Sequence, residues 1–267
     1  MDVTVNGNAV FASTGGQDFD PAKPSIVFVH GAGMDHTVWG QQTRYFAHHG
    51  FNVLAVDLPG HGKSGGEALE SIDALADWVA AFIDAAVGEP VILVGHSMGA
   101  ITTLTTAARH GDRIRAAALL GVAGKMPVHP ALQGFADSGD IRAAEMIAAW
   151  GHGARAHKGG NIASGIWLIG TAVRLVERAP KGVLGKDFAA CNAWQGAEDL
   201  AAVIACPVLF LLGAKDKMTP VKAAKPLADL VADSRTVILP DAGHMMMLED
   251  QQATRAALMD FCKTVSA

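Results

Sequence analysis

The sequence predicts an α/β domain built on a mainly parallel sheet. Three observations carry this. Short unbroken apolar runs rich in Val, Ile and Leu recur along the chain, the pattern of strands buried on both faces. Between them lie segments with apolar residues at helical spacing, clearest from Ser71 to Val87, where Ile72, Leu75, Ala76, Val79, Phe82 and Ile83 share one face. At Gly95-His96-Ser97-Met98-Gly99 one apolar run turns directly into a helical stretch. Strands that alternate with helices stack into a parallel sheet covered on both sides.

Composition bounds the answer. A chain of 267 residues, half of them hydrophobic and 18% charged, suits one large globular domain and excludes a disordered segment. A net charge of -5 gives no electrostatic footprint for nucleic acid, and the chain has no block of like charges to suit an anionic membrane surface. No window of 18 consecutive apolar residues occurs, so no membrane span is expected. The start Met1-Asp2-Val3-Thr4 lacks the basic and apolar regions of a signal peptide. Cys191, Cys206 and Cys262 are odd in number and lack metal-ligand spacing, so they read as free thiols in a reducing compartment. The expectation is a soluble cytoplasmic protein.

Taken in order, Val3-Thr4-Val5 and Ala9-Val10-Phe11 flank Asn6-Gly7-Asn8, the signature of an opening hairpin. Ser25 to Val29, Asn52 to Val56, Val91 to Val94 and Ala116 to Leu120 then read as buried strands, followed after a long interruption by Val208 to Leu212 and Thr236 to Leu239. A helix is expected from Ala100 to Arg109 and another from about Gln251 to Thr264. Thr219-Pro220 reads as a helix start, with Thr as N-cap and Pro at the first helical position. Residues 124–190 break the alternation, with helical patterns and no convincing strand. They are expected to form a helical cap inserted into a single domain, 1–267, whose core is 1–123 and 191–267, and to lie over the carboxyl ends of the strands.

The Gly-x-Ser-x-Gly segment between a buried strand and a helix is a nucleophile elbow. Its turn is so tight that the serine adopts a strained backbone and raises its hydroxyl above the sheet edge. Side chains at Gly95 and Gly99 would collide with the approaching strand and helix. A serine nucleophile needs a base to take its proton and an acid to hold that base. Asp216 follows the seventh apparent strand and His244 follows the last, both at carboxyl ends. The nearest rival acid is Asp241, which reads as part of the turn before His244. Gly121-Val122-Ala123-Gly124, after the sixth strand, offers no carboxylate. None of the other histidines follows the last strand. His30 and His96 read as packing and hydrogen-bonding residues, and His61 and Asp57 as stabilisers of the Pro59-Gly60 loop. His152 and His157 lack a second metal-ligand pair.

At this point the chain resembles the α/β-hydrolase fold superfamily. His30-Gly31-Ala32-Gly33 with Trp39 is similar to the loop after the third strand. Asp57-Leu58-Pro59-Gly60-His61-Gly62-Lys63-Ser64 is similar to the segment after the fourth, and Asp241-Ala242-Gly243-His244 to the histidine loop. The resemblance implies an eight-stranded, mostly parallel sheet flanked by helices, with the second strand antiparallel, and the chain order Ser, acid, His. It implies that Ser97 Oγ attacks an electrophilic carbon, that His244 acts as general base and then acid, and that Asp216 orients His244. It further implies an oxyanion hole made by the backbone N–H groups of Met98 and Ala32.

Met126, Trp150, Trp167, Met218 and Met245 are candidates for contact with substrate; packing within the cap, or for Met245 in the core, is the alternative. A Ser elbow argues against the relatives of this fold that attack with Asp or Cys. No metal motif or dinucleotide fingerprint is present, so no cofactor or metal is implied. The reading is a capped serine esterase, a hydrolase of a small carboxylic ester or lactone. The same site suits three alternatives: carbon–carbon bond hydrolysis of a vinylogous diketone with Arg142, Arg155 or Arg174 holding its carboxylate, perhydrolase (haloperoxidase) activity, or a ligand receptor. The expected partner is a small-molecule substrate. Oligomeric state is not encoded legibly.

Overall fold

The computed structural model describes every residue except 163, 164 and 267. Eight strands form one sheet: β1 (Asp2–Val5), β2 (Asn8–Ser13), β3 (Ser25–Val29), β4 (Asn52–Val56), β5 (Val91–His96), β6 (Ile114–Leu120), β7 (Val208–Gly213) and β8 (Ser234–Leu239). Their spatial order is β1-β2-β4-β3-β5-β6-β7-β8. β2 pairs antiparallel with β1 and β4, and every pairing from β4 to β8 is parallel. The chain thus has the α/β-hydrolase architecture, with the opening hairpin turned at Asn6-Gly7.

The helices are α1 (Gly40–Ala47), α2 (Ile72–Ala86), α3 (Met98–Arg109), α4 (Pro130–Ser138), α5 (Arg142–Gly151), α6 (Ala154–His157), α7 (Leu168–Glu177), α8 (Val183–Ala193), α9 (Ala197–Ala202), α10 (Val221–Leu230), α11 (Met246–Glu249) and α12 (Gln251–Ser266). The helix expected at Ser71–Val87 is α2, and the Ser71 hydroxyl caps it by accepting the Ala74 N–H at 3.1 Å. Between β6 and β7, α4 to α9 follow one another with no strand among the described residues. The expected edge of this insert at 190 falls inside α8, because the apolar face of that helix continues through Ala190 and Cys191. Among the described residues no helix is long and apolar enough to cross a membrane.

The period-two alternation of the strands divides the core into two layers. Val27 and Val29 of β3, with Val91 and Leu93 of β5, pack against α2, α3 and the insert. Ile26 and Phe28, with Ile92 and Val94, pack against α1 and α12 on the other side. Phe28 is fully buried, its ring centroid 5.0 Å from Trp39 and 5.9 Å from Phe46. This aromatic cluster seats α1 on the sheet. Phe28→Ala is expected to cost about 3–5 kcal/mol by the combined loss of burial and cavity formation. Urea denaturation of the two proteins measures this; a loss under about 1 kcal/mol would mean the cluster collapses around the gap.

Candidate active site

β5 ends at His96 and α3 begins at Met98, which leaves Ser97 alone to reverse the chain. Its φ is 55° and ψ -116°. Among the described residues only Asn6 shares a positive φ without being glycine. Such a backbone costs on the order of 1–3 kcal/mol and persists because the surroundings overdetermine it. The Ser97 N–H donates to the Leu120 carbonyl at 2.9 Å, and the Ser97 carbonyl accepts from Ala100 N–H at 2.8 Å. A Cβ at Gly95 would strike the Gly99 carbonyl, and one at Gly99 the carbonyls of Val29 and His30. Met98 opens α3, so its N–H has no intrahelical acceptor and lies at the positive end of the helix dipole.

Asp216 and His244 come together from the ends of β7 and β8. His244 Nδ1 donates to Asp216 Oδ2 at 2.8 Å, and both side chains are buried. Asp216 also accepts the Thr219 hydroxyl on Oδ2 at 2.6 Å, and the N–H groups of Met218 and Thr219 on Oδ1 at 2.8 Å each. Thr219 was expected as a helix cap. Instead α10 begins at Val221 with no side-chain cap bond, and the Thr219 hydroxyl serves the carboxylate. Burial would raise the Asp216 carboxyl, but the charge and hydrogen bond of His244, with the bonds from Thr219, bring it down to about 2. His244 Nε2 is buried with no hydrogen-bond partner among the described residues. An orphaned buried nitrogen is costly in a finished core and normal in a site that awaits a partner.

Two neighbouring buried histidines bond to the backbone. His30 Nδ1 donates to the Gly31 carbonyl at 2.9 Å, and its Nε2 accepts the Leu58 N–H at 3.1 Å. Burial pushes this ring down to about 4, so it is neutral. His96 Nε2 donates to the backbone carbonyl of His244 at 3.0 Å, and the two rings lie 4.7 Å apart. Burial also holds His96 well below the usual histidine range. Asp57 accepts the N–H groups of His36 and Lys63 at 2.7 and 2.9 Å, which fixes the loop after β4. Sequence reasoning missed Glu249. Its buried carboxylate accepts the N–H of Gly243, beside His244, at 2.9 Å, and of Gly153, in the insert, at 2.7 Å. Its place in the first turn after the histidine loop was the available signal.

Ser97, His244, Thr219 and Ala32 line one cavity of about 380 Å³, within the size range of small-molecule sites. Met126, Trp150 and Met218 line it too, as do Phe188 and Lys217. Trp167 does not. It is 71% exposed and borders a separate outer groove of about 990 Å³ that contains neither Ser97 nor His244. Met245 is also elsewhere: it is 1% exposed and packed in the core layer with Met246 and Met247. Met245 directly follows His244, and its N–H donates to the Gly151 carbonyl at the end of α5 at 3.0 Å, while its side chain joins Met246 and Met247 in the core layer.

With this geometry in view, the class of the protein follows. The profile of the alpha/beta hydrolase family matches residues 26–257, and the chain belongs to that family. It is 28% identical over 250 residues to a pimeloyl-[acyl-carrier protein] methyl ester esterase of Chromobacterium violaceum, covering 90% of this chain and 95% of the relative. It is 23% identical over 246 residues to an (E)-2-((N-methylformamido)methylene)succinate hydrolase of Acinetobacter baylyi, covering 90% of each. The enol-lactonase structure from Burkholderia xenovorans LB400 superposes with a TM-score of 0.87 at 25% identity, covering 98% of this chain and 100% of that one. These relatives are hydrolases.

The depressed Asp216 value makes a stability statement. Its folded value lies below the ordinary 3.8, so the stabilisation is complete above about pH 4 and is lost as pH falls toward about 2. The contribution is about 2 kcal/mol. Denaturant unfolding of Asp216→Asn is therefore expected to depend less steeply on pH between 4 and 2 than that of wild type; identical slopes would refute the assignment.

Proposed function

We propose that this chain is a serine hydrolase of small carboxylic esters or lactones, acting in the cytoplasm. The observation that carries the reading is His244, anchored through Nδ1 on Asp216 while its unpartnered Nε2 shares a cavity with the strained Ser97. His244 Nε2 takes the Ser97 proton as Oγ adds to the ester carbonyl. The oxyanion is met by the Met98 and Ala32 N–H groups, a donor pair in which each member is worth roughly 2.7–4 kcal/mol of transition-state stabilisation. Collapse of the tetrahedral adduct expels the alcohol, which receives the proton from His244, and leaves an acyl-Ser97 ester. Water then attacks that ester with His244 again as base, releasing the acid and restoring Ser97. Asp216 stabilises the imidazolium in both steps and stays ionised throughout.

The insert serves as the cap in this reading. It supplies Met126, Trp150 and Phe188 as apolar wall for the acyl or alcohol group. Lys217 is the one Lys or Arg lining the cavity among the described residues, and the ion pair there is His244 with Asp216. An apolar wall with one ammonium suits a substrate that carries a carboxylate beyond a short hydrocarbon spacer. The relative whose name specifies a succinate derivative agrees with that class.

Hydrolysis of p-nitrophenyl esters of graded acyl length tests the mechanism. Turnover is expected to peak at short to medium chains and to vanish in Ser97→Ala. Residual wild-type rates in that variant would refute the serine mechanism. For the substrate class, a half-ester of a dicarboxylic acid is compared with the neutral ester of equal length. Lys217→Met is expected to raise KM for the half-ester about fivefold, near 1 kcal/mol for an exposed charge, and to leave the neutral ester within twofold. Equal effects on both would remove the carboxylate assignment.

A further inference from the structure

A buried carboxylate of the insert reaches the loop that carries Ala32. Asp187 of α8 and His61 of the loop after β4 are each 1% exposed. Asp187 Oδ2 accepts the Gly33 N–H at 2.8 Å and faces His61 Nε2 at 2.9 Å. On the far side of the ring, His61 Nδ1 lies 2.9 Å from the Pro59 carbonyl oxygen. A carbonyl only accepts, so Nδ1 carries a proton, and Nε2 carries another toward the carboxylate. Burial works against a charged ring, but the hydrogen bond and charge of Asp187 outweigh it and keep His61 above its ordinary value. The other titratable neighbours are His30, neutral and 4.9 Å away ring to ring, Asp57, which adds a favourable charge, and Cys191, whose thiol burial keeps protonated.

Gly33 is the third residue of a turn closed by Met34 N–H on the Gly31 carbonyl at 3.2 Å. Its φ is +64° while that of Ala32 is negative, which makes the turn type II. Glycine at this position also allows type I, in which the Ala32–Gly33 peptide plane is reversed. That reversal would withdraw the Gly33 N–H from Asp187 and swing the Ala32 carbonyl oxygen toward a carboxylate. Asp187 therefore holds the Ala32–Gly33 peptide, and with it the Gly33 end of the turn, in a single orientation. A Cβ at Gly33 would sit 2.7 Å from Leu184 Cδ1, so α8 also packs directly on the turn. The same helix supplies Phe188 and Cys191 to the Ser97 cavity.

We propose that Asp187 is a positioning residue that anchors the Gly31–Met34 turn through the Gly33 N–H, and so holds in place the adjoining Ala32 whose N–H meets the substrate oxyanion, with His61 as its counter-charge. This rests on the reading of Ser97 and Ala32 given above. The carboxylate orients the turn, but left bare it would repel negative charge developing nearby. Paired with an imidazolium it holds the peptide plane and adds almost no net field. One helix thereby shapes the substrate wall and anchors the turn next to the oxyanion donor.

The test uses Asp187→Ala, Asp187→Asn, His61→Gln and the double variant His61→Gln/Asp187→Asn. Each is assayed for ester kinetics, melting temperature and affinity for an alkylboronic acid, whose boron accepts Ser97 Oγ as a tetrahedral adduct. Asp187→Ala is expected to lower kcat on the order of tenfold, short of the ~10²–10³ for outright loss of a donor, with KM within about threefold and boronate affinity falling alongside kcat. Asp187→Asn keeps an oxygen for the Gly33 N–H and recovers most of the loss. His61→Gln leaves the charge bare and lowers kcat and boronate affinity; adding Asp187→Asn restores both. If Asp187→Ala does not fold, the His61→Gln pair decides. Unchanged kcat and boronate affinity in the folded variants, or losses that follow KM and melting temperature alone, overturn the proposal. Wild type that neither cleaves esters nor binds the boronate fails the hydrolase reading itself.

Discussion

The backbone of Ser97 is the constraint on which the site depends. One residue must reverse the chain between β5 and α3, and it does so at a positive φ that serine ordinarily avoids. The sheet supplies the force that holds it there. Leu120 in the neighbouring strand accepts its N–H, and the first turn of α3 donates to its carbonyl. The price appears on either side, where only glycine fits against the carbonyls of Val29, His30 and Gly99. In return the hydroxyl stands clear of the sheet at the mouth of a helix, beside N–H groups that the helix itself cannot satisfy.

Buried carboxylates pin the loops around Ser97. Asp216 collects four donors and turns His244 toward the cavity. Glu249 ties Gly243 in the histidine loop to Gly153 in the insert, and Asp187 ties the insert to Gly33. A buried carboxylate is expensive unless its oxygens are filled, and each of these is filled largely by backbone N–H groups or a histidine. The consequence is geometric: irregular segments at the carboxyl ends of the strands are tied by hydrogen bonds to fixed side chains. It also means that the insert and the core share hydrogen bonds next to the cavity.

The layered architecture was legible because it follows from local rules. Apolar runs at Ser25–Val29 and Asn52–Val56 became strands buried on both faces, and the amphipathic stretch after Ser71 became α2. Ser97, Asp216 and His244 could be singled out because each follows a strand, and a parallel sheet brings strand ends to one edge. The insert was less legible. Helical periodicity shows which face of a helix is apolar but not what that face meets, so Trp167 and Met245 looked like pocket residues and lie elsewhere.

Thr219 shows the limit most clearly. As a residue before proline it has the local signature of a helix cap, yet its hydroxyl is taken by Asp216, with His244 Nδ1 3.1 Å away. Local pattern names the residues able to make a bond; only the assembled fold sets which partner is nearest. By itself, then, the sequence determined the order of strands and helices, the strained elbow and the residue types at the strand ends, since these depend on backbone preference and periodicity. Tertiary structure alone decided the partnerships of Thr219, Glu249, His61 and Asp187 and the walls of the cavity. Those contacts join residues far apart in the chain, or choose among acceptors already close, and no local rule ranks such choices.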